Sequence, residues 1–407
     1  MNVVYVDNNA TTQVAPEVLA ALQPFLGECY FNPSSMYDAA SAPAEAIKHA
    51  RGAIARALGA AHADEILFTS CATESNNQAI FGAMRANPAR RHVITTAVEH
   101  PAVINVALEL ERQGMEVTWL GVDGEGRLDL REVVRALRPD TLLISVMHAN
   151  NETGVVFPVA EVARLAKETD PGILVHTDAT QTIGKLAINL EGEFRHVDLL
   201  SFSGHKLHAP KGVGGLFLRR GTPCRPLLLG GHQEGGRRGG TENVAFIVAL
   251  GVAVEMAVAR HREDEPRIRA MRNRLESELL DRIPLVQING AGAERLVNTL
   301  NVSCHFIEGE GMLFQLSSHG ICASSGSACT SGSLEPSHVM KAMGVPCTAA
   351  HGSVRFSLSR YNTESDIDRI VEVFPDIVAA LRRLSPYWDV STNGPRPEAA
   401  SLMDQTR

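Results

Sequence analysis

The fold is decided by two stretches, Ile173-Leu174-Val175-His176-Thr177-Asp178-Ala179-Thr180-Gln181 and Asp198-Leu199-Leu200-Ser201-Phe202-Ser203-Gly204-His205-Lys206. Each opens with mostly apolar residues, as expected for a strand that is covered on both faces of a parallel sheet. Each ends in polar residues, and the carboxyl ends of parallel strands are where open α/β sheets form ligand sites. The two stretches therefore predict an α/β sheet with a ligand site at its carboxyl edge.

Similar apolar runs recur through the first half of the chain and alternate with helical patterns. The predicted strands are Glu65–Thr69, His92–Ala97, Glu116–Leu120, Leu142–Val146, Ile173–Asp178, Asp198–Phe202 and Gly215–Leu218. The predicted helices between them include Pro43–Leu58, Glu74–Met84, Pro101–Gln113 and Val159–Glu168. This alternation predicts a seven-stranded, mostly parallel sheet with helices on both faces.

The pattern changes after about Val244. A long apolar helix is followed by a highly charged one, Arg260–Arg282, then by short strands near Thr299–Ser303 and Val354–Ser357, and by a helix at Glu364–Leu384. We therefore predict a large domain at residues 15–260, a smaller α+β domain from residues 1–14 and 261–385, and a mobile tail at residues 386–407 that is rich in Pro, Ser, Asn and Gly.

Composition narrows the functional classes. The 407 residues are 44% hydrophobic and 21% charged, with a net charge of −8, which argues against nucleic acid as the main partner. The apolar stretch Val244–Ala259 is interrupted by Glu255 and is too short to span a bilayer. No secretory signal is recognised, and seven scattered cysteines without a CxxC pair suggest neither a disulfide framework nor a metal site. We expect a cytoplasmic protein.

Lys206 is the first candidate for chemistry because it follows the second stretch on a turn rich in Gly and Ser. A lysine over a pocket can form a Schiff base when its surroundings lower its pKa. Most lysines in surface loops have no such role, and Lys211 is a rival in the same loop. Asp178 favours Lys206, since a carboxylate beneath a pyridinium nitrogen keeps that ring an electron sink. Taken alone, Asp178 fits a helix cap equally well.

Two other strand-to-helix junctions carry polar residues. The first reads Thr69-Ser70-Cys71-Ala72-Thr73-Glu74-Ser75-Asn76, and small or hydroxyl residues at a helix start suit a phosphate. Thr or Ser ahead of Glu74 also fits a plain capping box. The second junction contains His100, which can stack on a flat cofactor or move protons, although most single histidines have no such role.

Cys329 lies in Ser324-Ser325-Gly326-Ser327-Ala328-Cys329-Thr330-Ser331-Gly332, a run of small residues that cannot fill a core. A cysteine on such a loop becomes a nucleophile once it is deprotonated. The other cysteines mostly lie in apolar contexts, where burial is usual. An incidental loop thiol is the alternative.

Together these stretches resemble the NifS/IscS-type cysteine desulfurases, which are aminotransferase class V members of the fold-type I enzymes that use pyridoxal 5'-phosphate (PLP). The resemblance runs from Tyr5 to about Trp388. It includes the further motifs Asp7-Asn8-Asn9-Ala10-Thr11-Thr12, Phe31-Asn32-Pro33-Ser34-Ser35, His148-Ala149-Asn150-Asn151-Glu152, Arg238-Gly239-Gly240-Thr241 and Ser353-Val354-Arg355-Phe356-Ser357. The set in this order is highly specific, and the tail after Trp388 is closer to the NifS group than to the IscS group.

The resemblance implies how the cofactor would be held. Lys206 would bind PLP covalently and move a proton between substrate and cofactor, Asp178 would bind the pyridine nitrogen, and His100 would stack on the ring. The remaining contacts would come from Asn151 and Gln181 at the ring hydroxyl, from Ala72, Thr73, Ser203, Gly204 and His205 around the phosphate, and from Thr241 of a second subunit.

The resemblance also implies the reaction. Arg355 would hold the substrate carboxylate, Asn32 would contact the substrate, and Cys329 would take the sulfur of L-cysteine as a persulfide and release alanine. A homodimer would then supply sulfur to an iron–sulfur scaffold or another acceptor protein, in a nitrogenase-related role.

One departure and two alternatives stay open. Cys71 stands where this family usually has glycine, and a positive φ there would alter the phosphate loop. A selenocysteine lyase or a class V aminotransferase would share the lysine and aspartate, although an aminotransferase does not need Cys329. A non-enzymatic sulfur carrier or scaffold-binding protein with a degenerate site is the other alternative, and the intact Lys206, Asp178 and His100 argue against it.

Overall fold

The computed structural model describes residues 3–325, 336–401 and 403. Its strands are β1 (Val4–Tyr5), β2 (Ile66–Thr69), β3 (His92–Thr96), β4 (Glu116–Leu120), β5 (Thr141–Ser145), β6 (Leu174–Asp178), β7 (Leu199–Ser203), β8 (Gly214–Leu218), β9 (Val286–Ile288), β10 (Thr299–Cys304), β11 (Ile321–Cys322), β12 (Ser353–Ser357), β13 (Trp388–Asp389) and β14 (Gly394–Pro395).

The helices cover both faces of the large sheet and one face of the small sheet. They are α1 (Pro16–Leu22), α2 (Pro24–Gly27), α3 (Ser41–Leu58), α4 (Ala72–Ala86), α5 (Pro101–Arg112), α6 (Leu130–Ala136), α7 (Val159–Thr169), α8 (Val244–Arg282), α9 (Gly309–Ser318), α10 (His338–Ala342), α11 (Cys347–Ala350), α12 (Glu364–Leu384) and α13 (Pro397–Ala400).

The large sheet has seven strands in the order β2-β8-β7-β6-β5-β3-β4. Strand β8 runs antiparallel to both of its neighbours, and the strands from β7 to β4 run parallel. Each of the seven predicted strands lies in this sheet, with ends within one residue of the predicted bounds. The prediction of an α/β fold with a seven-stranded, mostly parallel sheet is confirmed.

The central strands of this sheet are buried along their whole length because their side chains alternate between two apolar layers. Val93 and Leu143 pack with residues of α4 and α5 on one face. Ile94 and Ile144 pack with residues of α3, α7 and α8 on the other face. This two-sided cover explains why these strands have apolar runs rather than an alternating pattern.

Helix α8 joins the two predicted helices, Val244–Ala259 and Arg260–Arg282, into one continuous helix of 39 residues that contains Pro266. By length and composition it is the one helix in the described part of the chain that could cross a bilayer, and 50% of its apolar window is buried. A helix in the core of a folded domain can be equally long and apolar, so this criterion alone does not indicate a membrane span. Its apolar half packs against α3, where a Cβ on Gly251 would come within 2.8 Å of Ala50.

The chain after α8 forms a second, smaller sheet with helices packed against it. Strands β12, β10 and β9 form an antiparallel sheet, and its apolar face packs with α9, α12, Val4 and Val6. Residues Val339 and Met340 of α10, which we assigned to the small domain, pack instead in the core of the large sheet. Trp388, near the start of the predicted tail, is buried against Phe306. The domain boundaries stay a prediction.

Candidate active site

A cavity of about 290 Å³ opens at the carboxyl edge of the large sheet. Ten of the predicted site residues line it: Ala72, Thr73, His100, Asn151, Asp178, Gln181, Ser203, His205, Lys206 and Arg355. They come from parts of the chain that are far apart in sequence. The cavity therefore lies where an open α/β sheet is expected to bind a ligand.

Lys206 ends a short turn, Gly204–Lys206, that directly follows β7. Its Nζ donates hydrogen bonds to the carbonyl oxygens of Asn9 at 2.5 Å and Ala10 at 2.6 Å. Lys211 is exposed and does not line the described part of this cavity. The geometry thus separates the two rival lysines and places Lys206 over the cavity.

Asp178 ends β6, the strand beside β7. Its Oδ2 accepts a hydrogen bond from Asn76 Nδ2 at 2.7 Å, and its Oδ1 accepts one from the backbone N–H of Thr180 at 2.9 Å. Turns rather than a helix follow Asp178, so the carboxylate is not a helix cap. Beneath it, the ring of His176 bridges Ser145 and Ser201 and is fully buried.

The amino end of α4 faces the same cavity through Ala72 and Thr73. No side chain of the described residues caps its first turn, and the Glu74 carboxylate accepts instead from the backbone N–H of Ser70. The predicted capping box is therefore absent there, and the free N–H groups suit a phosphate. Cys71 has a φ of −174°, an extended conformation open to any residue, so no glycine is needed at this position.

Four buried polar atoms of residues that line the cavity have no hydrogen-bond partner among residues 3–325 and 336–401: Ser203 Oγ, Thr180 Oγ1, Asn76 Oδ1 and Arg355 Nε. Leaving a buried polar group unpaired costs about 1–3 kcal/mol, so a bound polar molecule would stabilise this edge. Hydroxyl donors, free helix N–H groups, a lysine and a carboxylate together fit the phosphate, aldehyde and ring nitrogen of PLP.

His100 caps the start of α5, where its Nδ1 accepts from the backbone N–H of Ala102 at 3.1 Å. Burial is the main cause that lowers its pKa, and the positive charge of Lys206 adds to the lowering. The lowered pKa favours the neutral ring, and the hydrogen bond accepted by Nδ1 places the proton of that neutral ring on Nε2. His205 Nδ1 lies 3.2 Å from Thr11 Oγ1, and burial lowers the pKa of His205 to about 4.

Arg355 reaches the cavity from β12 of the small sheet. It is 1% exposed. Its Nη1 donates to the carbonyl oxygen of Asn151 at 2.8 Å, and its Nη2 donates to Asp7 Oδ1 at 2.7 Å. The guanidinium predicted to hold a substrate carboxylate is thus already oriented by the carboxylate of Asp7.

Three of the other predicted residues, Gly204, Asn32 and Thr241, lie outside the described lining of the cavity. Gly204 is buried, whereas Asn32 and Thr241 are exposed. Cys329 lies outside the described residues. The roles predicted for these four residues stay predictions.

The sequence interpretation assigned no role to three residues with polar amide or hydroxyl side chains that line the cavity: Asn76, Asn9 and Thr180. Asn76 follows Thr73 by three residues on α4, so the helical period alone could have placed both on one face. The Asn9 carbonyl accepts from both Lys206 and Gln181, a role of the backbone that no side-chain pattern reveals.

A model of the aminotransferase class-V family matches residues 4–370. The chain belongs to the aminotransferase class-V family. Members related to this chain depend on PLP, so the cofactor predicted from the motifs is confirmed, together with the fold-type I architecture. The site residues have not been tested by these comparisons.

Named relatives in this class-V family are similar over almost their whole length. Cysteine desulfurase 2 of Trichormus variabilis is 55% identical over 387 residues, covering 95% of this chain and 96% of that protein. Cysteine desulfurase NifS of Azotobacter vinelandii is 54% identical and covers 96% of each. A solved structure of a NifS-like protein has a TM-score of 0.88 at 39% identity, covering 93% of this chain and 100% of that one.

Proposed function

We propose that this chain is a PLP-dependent cysteine desulfurase that converts L-cysteine to L-alanine and takes the sulfur onto Cys329. The observation that carries the proposal is the pairing of Lys206 with Asp178 across one cavity, at the ends of the neighbouring strands β7 and β6. The names of relatives that are 54–55% identical support the desulfurase activity.

The large sheet would bind the cofactor, which supplies an electron sink for the carbon atoms of the substrate when it is bound. Lys206 would be linked to it and would carry a proton to and from the substrate. Asp178, held by Asn76 and Thr180, would keep a positive charge on the ring nitrogen. Ser203, Thr73 and the amino end of α4 would hold the phosphate, and His100 would cover the ring.

Arg355 and Cys329 would act on the substrate. Arg355 would exchange part of its contact with Asp7 for the α-carboxylate of cysteine. The Cys329 thiolate would attack the substrate sulfur, so that a sulfur–sulfur bond forms as the carbon–sulfur bond breaks. The electron pair stays with carbon, which takes a proton and leaves as alanine, while the persulfide stays on Cys329.

A homodimer is part of the proposal. Large apolar side chains are exposed in this single chain at Leu26, Tyr30, Met36 and Leu229, whose exposed fractions are 63%, 70%, 102% and 86%. Exposed large apolar side chains are candidates for cover by a partner subunit. A partner subunit that covers them would also explain the exposure of Asn32 and Thr241, which would then reach the substrate and the partner's cofactor phosphate. An active monomer in light scattering at micromolar concentration would contradict it.

The sulfur acceptor is proposed to be an iron–sulfur scaffold or another acceptor protein. The name of the Azotobacter vinelandii relative, NifS, supports a role tied to nitrogen fixation. The cytoplasmic location stays a prediction.

The experiment that tests the proposal changes Cys329 to alanine in the PLP-loaded protein. We expect Cys329→Ala to keep its cofactor and to show a spectral change with cysteine, because the first steps need no second thiol. It should form no more than a trace of alanine or sulfide. Cys322→Ala is the matched control, since Cys322 is the nearest other cysteine in the sequence, and it should keep turnover within a few-fold of wild type.

Mass spectrometry after one turnover of the wild type should find the added sulfur on the peptide that contains Cys329. Added sulfur on Cys322 instead would overturn the assignment. Full alanine production by Cys329→Ala would remove the desulfurase mechanism. Transfer of an amino group to a keto acid, with no alanine from cysteine, would favour a class V aminotransferase.

A further inference from the structure

Lys185 lies behind the cavity and contacts it through one side chain. Its Nζ donates to Gln181 Oε1 at 3.2 Å. Gln181 in turn donates from Nε2 to the carbonyl oxygen of Asn9 at 3.0 Å. The same carbonyl accepts from Lys206 Nζ at 2.5 Å, so three hydrogen bonds connect the two lysines through the Gln181 amide and the Asn9 carbonyl.

The surroundings of Lys185 are unusual for a cation. It lines a second, smaller cavity of about 60 Å³ on the far side of Lys206. Among the described residues no carboxylate forms an ion pair with it, and its Nζ donates to the amide oxygen of Gln181. The titratable and charged groups that share this cavity are Lys206, His208, His261, Asp264, Glu265 and Arg360.

Burial, together with the positive charges of Lys206 and Arg355, lowers the pKa of Lys185 to about 7. A buried lysine without a carboxylate partner makes the folded protein less stable than an apolar residue of similar size would at the same position. This cost suggests that the position of the amine serves the cavity rather than the fold.

The hydrogen-bond chemistry of the two side chains fixes their orientation. Below its pKa of about 7 the amine of Lys185 is an ammonium group, which only donates, so it requires the oxygen of the Gln181 amide. The carbonyl of Asn9 only accepts, so it requires the nitrogen of the same amide. If the Gln181 amide were flipped, its NH₂ group would face the ammonium group of Lys185, and its oxygen would face the carbonyl oxygen of Asn9. The NH₂ group of Gln181, which lines the larger cavity, is thus kept on the cavity side.

We propose that Lys185 is a positioning residue that locks the Gln181 amide with its NH₂ group toward the cofactor, so that Gln181 donates a hydrogen bond to the ring hydroxyl oxygen of PLP. This inference rests on the proposed function, because it takes PLP to be linked to Lys206. It assigns Lys185 a role that the motif resemblance did not give it.

The lock has a measurable consequence. A donor at the ring oxygen favours the state with more negative charge on that oxygen. This is the state in which the nitrogen of the Lys206 linkage has lost its proton. Removing Lys185 frees the amide to rotate, so the linkage should hold its proton to higher pH, by about 0.5–1 pH unit.

The test follows the visible absorption of the PLP-loaded protein as a function of pH, without substrate. Lys185→Met should raise the midpoint of this titration by about 0.5–1 pH unit. Lys185→Arg, which also only donates, should stay within about 0.2 unit of wild type. If Lys185→Met does not fold, Lys185→Gln serves as the neutral variant, with the same expected shift.

A double-mutant cycle with Gln181→Leu shows whether the effect passes through the amide. We expect Lys185→Met to shift the midpoint by less than half as much in the Gln181→Leu background as in wild type. An equal shift in both backgrounds, or no shift in wild type, overturns the inference. If the wild type itself shows no visible absorption after incubation with PLP, the proposed function fails instead, so the two failures are distinguishable.

Discussion

The two edges of the active-site cavity satisfy their buried polar groups to different extents. On the large-sheet edge, Ser203 Oγ, Thr180 Oγ1 and Asn76 Oδ1 are buried without a partner in the described part of the chain. On the small-sheet edge, Arg355 is buried equally deeply, and both of its terminal nitrogens are paired, with Asp7 and with the Asn151 carbonyl, so that only its Nε has no partner in the described part of the chain.

This difference suggests that one edge binds the cofactor and the other binds the substrate. Unpaired buried groups are costly, so an edge that leaves several of them open suits a group that stays bound, as a cofactor does. A paired guanidinium is already oriented and can exchange one partner for another, which suits a substrate that comes and goes. The large sheet would therefore hold PLP, and the small sheet would recognise cysteine.

The largest effect is expected at Lys206. Lys206→Ala should abolish the covalent linkage to PLP and all turnover, because no other described lysine reaches the same position over Asp178. Lys211→Ala is the matched control from the same loop, and it should keep both the visible absorption and the activity. Absorption spectra and alanine assays check this. A colourless Lys211→Ala beside a coloured Lys206→Ala would reverse the assignment.

The next largest effect is expected at Arg355, which would bind the substrate carboxylate and also pairs with Asp7. Arg355→Ala should raise the KM for cysteine, because loss of a charge-assisted bidentate pair costs about 2–4 kcal/mol, or roughly 30- to 1000-fold in the specificity constant. Asp7→Asn removes the internal partner and keeps the guanidinium, so its effect should be much smaller. Steady-state kinetics decide the matter. Equal losses in both variants would mean that the pair itself, rather than substrate recognition, is what matters.

The smallest effect concerns Glu99, on the large-sheet edge. Its carboxyl is fully buried. Oε1 accepts from Thr96 and from the Met147 N–H, and Oε2 has no partner within the described residues. Burial raises its pKa from 4.5 to about 8, so the folded protein favours the neutral acid. The stability that this gives is complete below about pH 4.5 and is lost as the pH rises through about 8.

Glu99→Gln keeps the acceptor oxygen and cannot ionise. Between about pH 7 and about pH 8 the wild type should lose about 1 kcal/mol relative to this variant. Unfolding of the two proteins at both pH values measures the difference. Parallel losses in the two proteins would show that Glu99 does not titrate in this range.

The sequence alone was sufficient for the sheet and for most of the residues that line the cavity at its edge. The seven strands, Lys206, Asp178 and the start of α4 were all predicted, because an apolar run followed by polar residues determines both a buried strand and the end where a ligand binds. The residues 326–335, which include Cys329, are known from sequence only.

Only the tertiary structure decided which partners these residues have. That Asn76 donates to Asp178, that Asp7 pairs with Arg355, and that Lys185 orients Gln181 all depend on contacts between elements. Asp7 and Arg355 are 348 residues apart. The spacing of apolar residues indicates which face of its own helix or strand a residue lies on. Which side chains form hydrogen bonds with each other depends on how the helices and strands pack together, and the spacing does not encode that packing. The structure also showed that α8 is one continuous helix where composition suggested two, because buried contacts along one axis outweigh the change from apolar to charged residues.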